Sequence, residues 1–214
     1  MKKTIVCFGD SNTHGYDSST GGRFDDKHRY PCLLADYLGK DYLVREEGLS
    51  GRTTVFDDPL FEGLNGLSVI GSTLLTHEPV DLLIIMLGTN DTKERFSVNA
   101  ENIAKGLERL TKKAMSVTDA WRDGKPNILL VAPPPIDKRY ESTFVVNEMG
   151  RGCAEKSADL AHYYEQTAKL TGCHFMDAGQ IPGIQMHPND YMHLDEKSHD
   201  LLAHRLAEMI PGLF

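Results

Sequence analysis

The feature that most constrains this chain is a series of short apolar runs, each ending in a polar turn that contains glycine. The first run, residues 4–8, is rich in β-branched side chains and leads directly into Gly9, Asp10, Ser11 and Asn12. Such a run suits a strand that is buried on both faces of a parallel sheet. Ligands of open α/β sheets bind beyond the carboxyl ends of the strands, so these polar residues are the first candidates for chemistry.

Strand and helix patterns alternate along the whole chain. Further strands are predicted at residues 42–45, 81–87, 127–131 and 173–177, and helices at residues 30–38, 66–76, 103–121, 151–171 and 195–209. This alternation predicts an α/β fold, a three-layer α/β/α sandwich with a five-stranded parallel sheet. In the helix at 103–121, the apolar stripe ends at Trp121, which is expected in the core, and Gly124 and Pro126 are expected to end the helix.

Composition narrows the class of protein. The 214 residues show no linker, so a single domain over residues 1–214 is predicted, and the net charge of −8 without a long basic run argues against a nucleic-acid partner. There is no transmembrane run, and only a few residues precede the first strand, too few for a signal-peptide core. The four cysteines lack metal-binding spacing, which favours reduced thiols and a cytoplasmic location.

Ser11 is the first candidate nucleophile. A serine hydroxyl reacts poorly at neutral pH, so it requires a base for its proton and donors for the resulting oxyanion. On its own, a Gly-Asp-Ser triplet after a strand is also typical of an ordinary turn or helix cap. The rest of the chain must therefore supply the partners.

Two later turns offer donors. Gly51 follows the second strand, where its backbone N–H could approach a reacting atom closely because no Cβ intervenes. Asn90 follows the apolar run at 81–87, where its side-chain amide could stabilise a developing negative charge. The alternatives are that Gly48 and Gly51 serve turn dihedrals only, and that Asn90 and Asp91 cap the next helix.

His193 is the preferred base among nine histidines. Asp190 lies three residues earlier, a spacing that lets its carboxylate hold Nδ1 while Nε2 faces outward. His187 is an alternative base, and His14 is expected at the pocket or its rim. A metal site made of His187, Asp190 and His193 is less favoured, because a third strong ligand and its supporting shell are not apparent.

Two other histidines, His162 and His199, fall within predicted helices. Each is expected to be exposed on the surface or to have its hydrogen bonds satisfied within the protein. Residues 136–150 form a long connection with apolar side chains that look exposed, which favours a lid over the site or a contact between subunits. These apolar residues are Phe144, Val145, Val146 and Met149.

Four blocks together carry a resemblance. FGDSNTHGY, GLSGRTT, LGTND and DYMH occur in this order, and the chain resembles the SGNH, or GDSL-type, hydrolase superfamily over nearly its whole length. The resemblance implies a flavodoxin-like SGNH hydrolase fold, Ser11 as nucleophile, His193 as base and then acid, and Asp190 as its orienter. It also implies an oxyanion hole made of the N–H groups of Ser11 and Gly51 with the Asn90 side chain, and no metal or organic cofactor.

The phrases EEGLSGRTT and IIMLGTNDTK resemble the arylesterase and acyltransferase branch. This implies small ester substrates, acyl transfer as a side activity, and association into a homo-oligomer. One departure is that Tyr191 and Met192 stand between acid and base, where the family often has glycine after the aspartate. Another is that Asn12 and His14 are polar where this branch often has apolar groups, which leaves room for acetylated sugars.

The pocket candidates are Asp10, Asn12, His14 and Thr89. The expected function is hydrolysis of small acetyl-type esters, with a carbohydrate O-acetylesterase as the alternative. The chain lacks Gly-x-Ser-x-Gly and GxGxxG, which argues against the common α/β-hydrolase elbow and a dinucleotide enzyme. A catalytically silent module that binds a small molecule is the alternative outside enzymes.

Overall fold

The computed structural model describes all residues, 1–214. Its strands are β1 (Lys3–Gly9), β2 (Tyr16–Asp17), β3 (Gly22–Arg23), β4 (Tyr42–Gly48), β5 (Leu82–Met86), β6 (Ile128–Ala132) and β7 (His174–Asp177). Its helices are α1 (Ser11–His14), α2 (Tyr30–Leu38), α3 (Gly66–Thr76), α4 (Ala100–Met115), α5 (Val146–Met149), α6 (Cys153–Thr171) and α7 (Glu196–Met209). No helix combines the length and the apolar composition that crossing a bilayer requires.

Five strands form one parallel sheet in the order β4-β1-β5-β6-β7, which confirms the predicted α/β class and strand number. The chain begins in the middle of the sheet, adds β4 on one side and the later strands on the other. This is the strand order of flavodoxin-like folds, whose ligand crevice lies where the direction of winding reverses. Here that point lies between β1 and β5.

The two faces of the sheet bury separate cores. Because side chains alternate along a strand, Ile5 and Cys7 face helices α2 and α7, whereas Val6 and Phe8 face helices α3, α4 and α6. All four side chains are fully buried. Residues on both sides of each central strand are therefore apolar, which explains the continuous apolar runs of the sequence.

The predicted helix through Trp121 is wrong at its end. Helix α4 ends at Met115, and Val80 pairs with the later chain instead, through Val80 N to Ala120 O at 2.8 Å and Arg122 N to Val80 O at 2.9 Å. Trp121 is buried as expected, and its Nε1 donates to Ala114 O at 3.0 Å. Trp121 lies beyond the end of α4, and its ring packs back against the last turn of that helix. The apolar spacing of the sequence therefore continues past Met115, although the helix does not.

Residues 136–150 fold against the molecule, and the expectation that their apolar side chains are exposed holds only for Phe144. Val145 and Met149 are buried in a third cluster with Tyr140, Cys153 and other residues. Strands β2 and β3 form a small separate antiparallel hairpin.

Candidate active site

Ser11 lies at the first turn after the central strand β1. Asp10 caps the short helix α1, because its Oδ1 accepts a hydrogen bond from Asn12 N at 3.0 Å. The turn packs directly on the end of β4, where a Cβ on Gly48 would lie 2.1 Å from His14 N. Gly48 is therefore needed for this close approach, and the dihedral explanation considered above does not apply to it.

The side chains of Ser11, His193 and Asp190 are joined in one chain of hydrogen bonds. His193 Nε2 lies 2.9 Å from Ser11 Oγ, and His193 Nδ1 lies 2.7 Å from Asp190 Oδ2. All three residues are buried. With Asp190 ionised, Nδ1 carries the proton, so Nε2 is free to accept the hydroxyl proton of Ser11.

The segment around Asp190 is a tight turn that is stabilised by hydrogen bonds to the Asp190 carboxylate. Oδ1 accepts hydrogen bonds from Met192 N and His193 N, each at 3.0 Å. Burial alone would raise the pKa of Asp190, but the hydrogen bonds from His193 and from these backbone groups lower it below its usual value. Asp190 therefore stays ionised and holds the imidazole in one orientation.

Tyr191 adopts a left-handed backbone conformation inside this turn, with φ of 56°. A non-glycine residue rarely adopts that conformation, which explains why glycine suits this position in the resembled family. The Tyr191 ring packs against the Arg139 guanidinium, 4.2 Å from the ring centroid. The turn from Asp190 to His193 therefore forms with tyrosine in place of glycine.

Three predicted oxyanion donors border the same space. Ser11 N and Gly51 N donate to no acceptor within the protein, and Gly51 has φ of 88°. One N–H of Asn90 Nδ2 donates to Arg52 O at 3.2 Å, which orients the amide and leaves its second N–H available. Capping does not explain Asn90, since Asn99 caps helix α4.

The four predicted pocket residues lie behind the site, and none lines its cavity. Asn12 is buried, and its Oδ1 accepts from Leu194 N at 2.9 Å, which ties the nucleophile turn to the segment of the base. Asp10 is buried too, and burial raises its pKa to about 6 against the opposing hydrogen bond from Asn12. The carbonyl of His14 accepts from Arg23 Nε at 2.6 Å, and Thr89 is buried with its carbonyl bonded to Thr92.

The cavity itself has a volume of about 400 Å³ and is open to solvent. Its wall includes nine residues that the sequence does not predict as pocket residues, together with Ser11, Gly51, Asn90 and His193. These nine are Tyr16, Ser50, Phe61, Glu62, Leu64, Lys93, Glu148, Met149 and Met192. The available signals were the position of Lys93 three residues after Asn90 and the long apolar segment that includes Met149.

The other histidines have different surroundings. His187 Nδ1 accepts from Asn189 N at 3.2 Å, and its carbonyl accepts from Tyr191 N at 2.8 Å, so it supports the turn of the base and faces away from the cavity. His162 is exposed, whereas His199 is fully buried with Nδ1 3.3 Å from Tyr30 N. No group of three His, Cys, Asp or Glu side chains is arranged to hold a metal ion.

The sheet order and the residues at its carboxyl edge define an SGNH-type hydrolase, a class of carboxylic ester hydrolases. Residues 7–202 match the GDSL-like lipase/acylhydrolase family, and the chain belongs to that family.

Two solved structures are similar to this chain over nearly the whole length of both proteins. An aryl esterase of M. smegmatis is 37% identical with a TM-score of 0.91, and the match covers 99% of this chain and 100% of that one. A carbohydrate acetylesterase from Sinorhizobium meliloti is 35% identical with a TM-score of 0.88, and both chains are covered completely.

A third similar protein is an acetylxylan esterase of Xylanibacter ruminicola. It is 30% identical over 146 residues, which make up 63% of this chain. The match spans only 29% of the length of that relative, which is thus much longer than the matched region.

Proposed function

We propose that this protein hydrolyses small acetyl-type carboxylic esters through an acyl-enzyme on Ser11. The observation that carries the proposal is the hydrogen-bond chain from Ser11 Oγ to His193 Nε2, 2.9 Å, and from His193 Nδ1 to Asp190 Oδ2, 2.7 Å. A hydroxyl needs a base within this reach, and the base needs a group that fixes its tautomer.

In the first step, Ser11 Oγ attacks the ester carbonyl while His193 takes the hydroxyl proton. The oxyanion of the tetrahedral intermediate accepts hydrogen bonds from Ser11 N, Gly51 N and Asn90 Nδ2. The C–O bond to the alcohol then breaks, and His193 gives its proton to the departing alkoxide oxygen. The availability of all three donors supports this assignment, because preorganised donors need no rearrangement as charge develops.

In the second step, water replaces the alcohol. His193 takes a proton from the water as it attacks the acyl carbonyl, and the same three donors hold the second oxyanion. The bond from the acyl carbon to Ser11 Oγ breaks, and Oγ recovers a proton from His193. An alcohol that takes the place of water would give acyl transfer, which we propose as a side activity.

A panel of esters tests this function. Wild type and Ser11→Ala are assayed side by side on acetyl, butyryl and octanoyl esters of one alcohol. We expect hydrolysis to be fastest for the acetyl ester, because a long apolar chain would cover the charged wall residues Lys93, Glu62 and Glu148 without pairing them. Ser11→Ala should lose nearly all turnover while its circular dichroism spectrum is retained. Equal turnover by wild type and Ser11→Ala would show that Ser11 is not the nucleophile.

A second candidate is a carbohydrate O-acetylesterase. It is favoured by the polar wall residues Lys93, Glu62 and Glu148 and by the likeness to an acetylxylan esterase and a carbohydrate acetylesterase. Comparison of kcat/KM on acetylated xylose with that on phenyl acetate distinguishes the two candidates. A clear preference for the sugar ester would favour this second function.

A further inference from the structure

Lys93 places a buried ammonium group in the wall of the cavity that contains Ser11. It directly follows the turn Asn90–Thr92, and its N–H donates to Asn90 O at 3.2 Å. Asn90 and Lys93 thus belong to one turn, and both residues line the cavity. Lys93 is only 3% exposed, and a lysine is seldom buried to this extent unless it is paired.

The ammonium has two acidic partners. Its Nζ lies 3.4 Å from Asp58 Oδ2 and 3.2 Å from Glu148 Oε1. These partners belong to the segments 57–65 and 146–150, and both segments contribute residues to the cavity wall. An ammonium has three N–H donors, and the protein supplies no third acceptor for this one. One N–H is therefore available to a molecule in the cavity.

Glu148 is held beside Lys93 by a second cation. Arg95 Nη2 donates to Glu148 O at 2.7 Å and also contacts the carboxylate, while Arg95 Nε lies 3.9 Å from Asp58 Oδ2. The carboxylate of Glu148 is nearly half exposed and lines the cavity. The wall thus presents a donor and an acceptor side by side, in a group whose positive and negative charges balance.

This balance selects the ligand by its chemistry. A carboxylate or phosphate that accepts from Lys93 would lie beside the Glu148 carboxylate, and an ammonium that donates to Glu148 would lie beside Lys93, so a ligand of either charge meets repulsion. An apolar group would cover the free N–H of Lys93 without giving it an acceptor, which is unfavourable. A neutral hydroxyl group can accept from Lys93 and donate to Glu148.

We propose that Lys93 and Glu148 form a subsite for a hydroxyl group on the alcohol half of the ester, so that the enzyme prefers acetyl esters of polyols. The inference rests on the proposed function, because the ester must first be positioned at Ser11. An acetyl group carries no hydroxyl, so the alcohol half is the part that can occupy this subsite.

Two substrates that differ by one hydroxyl test the subsite. They are cyclohexyl acetate and the monoacetate of cyclohexane-1,2-diol, and the measured quantity is the ratio of kcat/KM for the hydroxylated ester to that for the plain ester. We expect the wild-type ratio to be about 10, as befits a hydrogen bond to a charged group, with the difference mainly in KM.

Two variants remove the subsite. Glu148→Leu removes the acceptor, and the double change Lys93→Met with Asp58→Asn removes the ammonium without leaving a buried carboxylate unpaired. In both, the ratio should fall to about 1–2. The matched controls are Glu155→Leu and Lys138→Met, which alter an exposed ion pair outside the cavity and should keep the wild-type ratio.

The outcomes separate the two proposals. If wild type hydrolyses neither ester nor any acetyl ester of the panel, the proposed function fails. If wild type hydrolyses both esters with a ratio near 1, or if the variants keep the wild-type ratio, the subsite is overturned while the esterase proposal stands. Since the ratio is measured within each protein, a partly unfolded preparation does not change it.

Discussion

The carboxylate of Asp91 accepts a hydrogen bond from Thr54 N at 2.9 Å and another from the Thr54 hydroxyl. Thr54 follows Gly51 in the turn after β4, and Asp91 follows Asn90 in the turn after β5. The contact therefore joins the two turns that present the oxyanion donors. Asp91 is fully buried, and burial raises its pKa to about 6 although the hydrogen bonds from Thr54 oppose the shift.

Asp91→Asn should lower kcat roughly 10- to 100-fold with little change in KM, because the amide NH₂ that replaces Oδ2 would face the donor Thr54 N, 3.2 Å away, and the spacing of the oxyanion donors changes. The measurement is steady-state kinetics on an acetyl ester, with Asp177→Asn as the control, since Asp177 holds a turn away from the cavity. An equal loss in the two variants would contradict a positioning role for Asp91.

Asn90→Ala should lower kcat roughly 100- to 1,000-fold, because the variant loses one donor to the oxyanion. KM should change little, since the donor acts mainly on charge that develops after binding. The same kinetic assay measures this effect. If Asn90→Ala keeps the wild-type rate, Asn90 is not part of the oxyanion hole.

Tyr191→Gly should be more stable than Tyr191→Ala by about 1 kcal/mol, because only glycine relieves the left-handed backbone at this position. Both variants lose the contact of the ring with Arg139, so their comparison isolates the backbone. Denaturant unfolding of the two variants measures the difference. Equal free energies of unfolding would show that the turn accommodates a side chain without strain.

His199 should make the protein sensitive to acid. Burial lowers its pKa to about 3, so below the pKa of the unfolded state, about 6.5, the unfolded chain binds a proton that the folded protein does not. The stability that depends on a neutral His199 is present above about pH 6.5 and is lost as the pH falls towards 3, by up to roughly 4 kcal/mol.

Thermal unfolding as a function of pH tests this sign. His199→Asn keeps an acceptor for Tyr30 N but does not titrate, so its Tm should fall less steeply with acid than that of wild type. His162→Asn alters an exposed histidine and should follow the wild-type curve. Parallel curves for wild type and His199→Asn would contradict the assignment.

Local patterns are sufficient to predict the five strands of the parallel sheet, most of the helices and the pairing of Asp190 with His193. Each depends on neighbours within one turn or one strand, where sequence spacing fixes geometry. The cavity wall was not predictable in this way. Lys93, Glu148 and Phe61 come from three separate segments, and only packing of the chain brings them together.

Two errors have specific physical causes. The spacing of Trp121 fits a helix, but pairing with Val80 competes for the same backbone and ends α4 at Met115. Asn12 is polar and follows Ser11 directly, so it looked like a pocket residue, yet its amide is used to hold Leu194 N. Neither long-range partner can be identified from local sequence.

The proposed esterase mechanism requires Ser11 to be a nucleophile that His193 activates. The most direct measurement is labelling with a serine-directed phosphonate, followed by peptide mapping by mass spectrometry, on wild type, Ser11→Ala and His193→Ala. We expect one phosphonate on Ser11 of wild type, none on Ser11→Ala, and much slower labelling of His193→Ala. Two results would contradict this mechanism. One is labelling of a different residue, and the other is full esterase activity of wild type after treatment with the phosphonate.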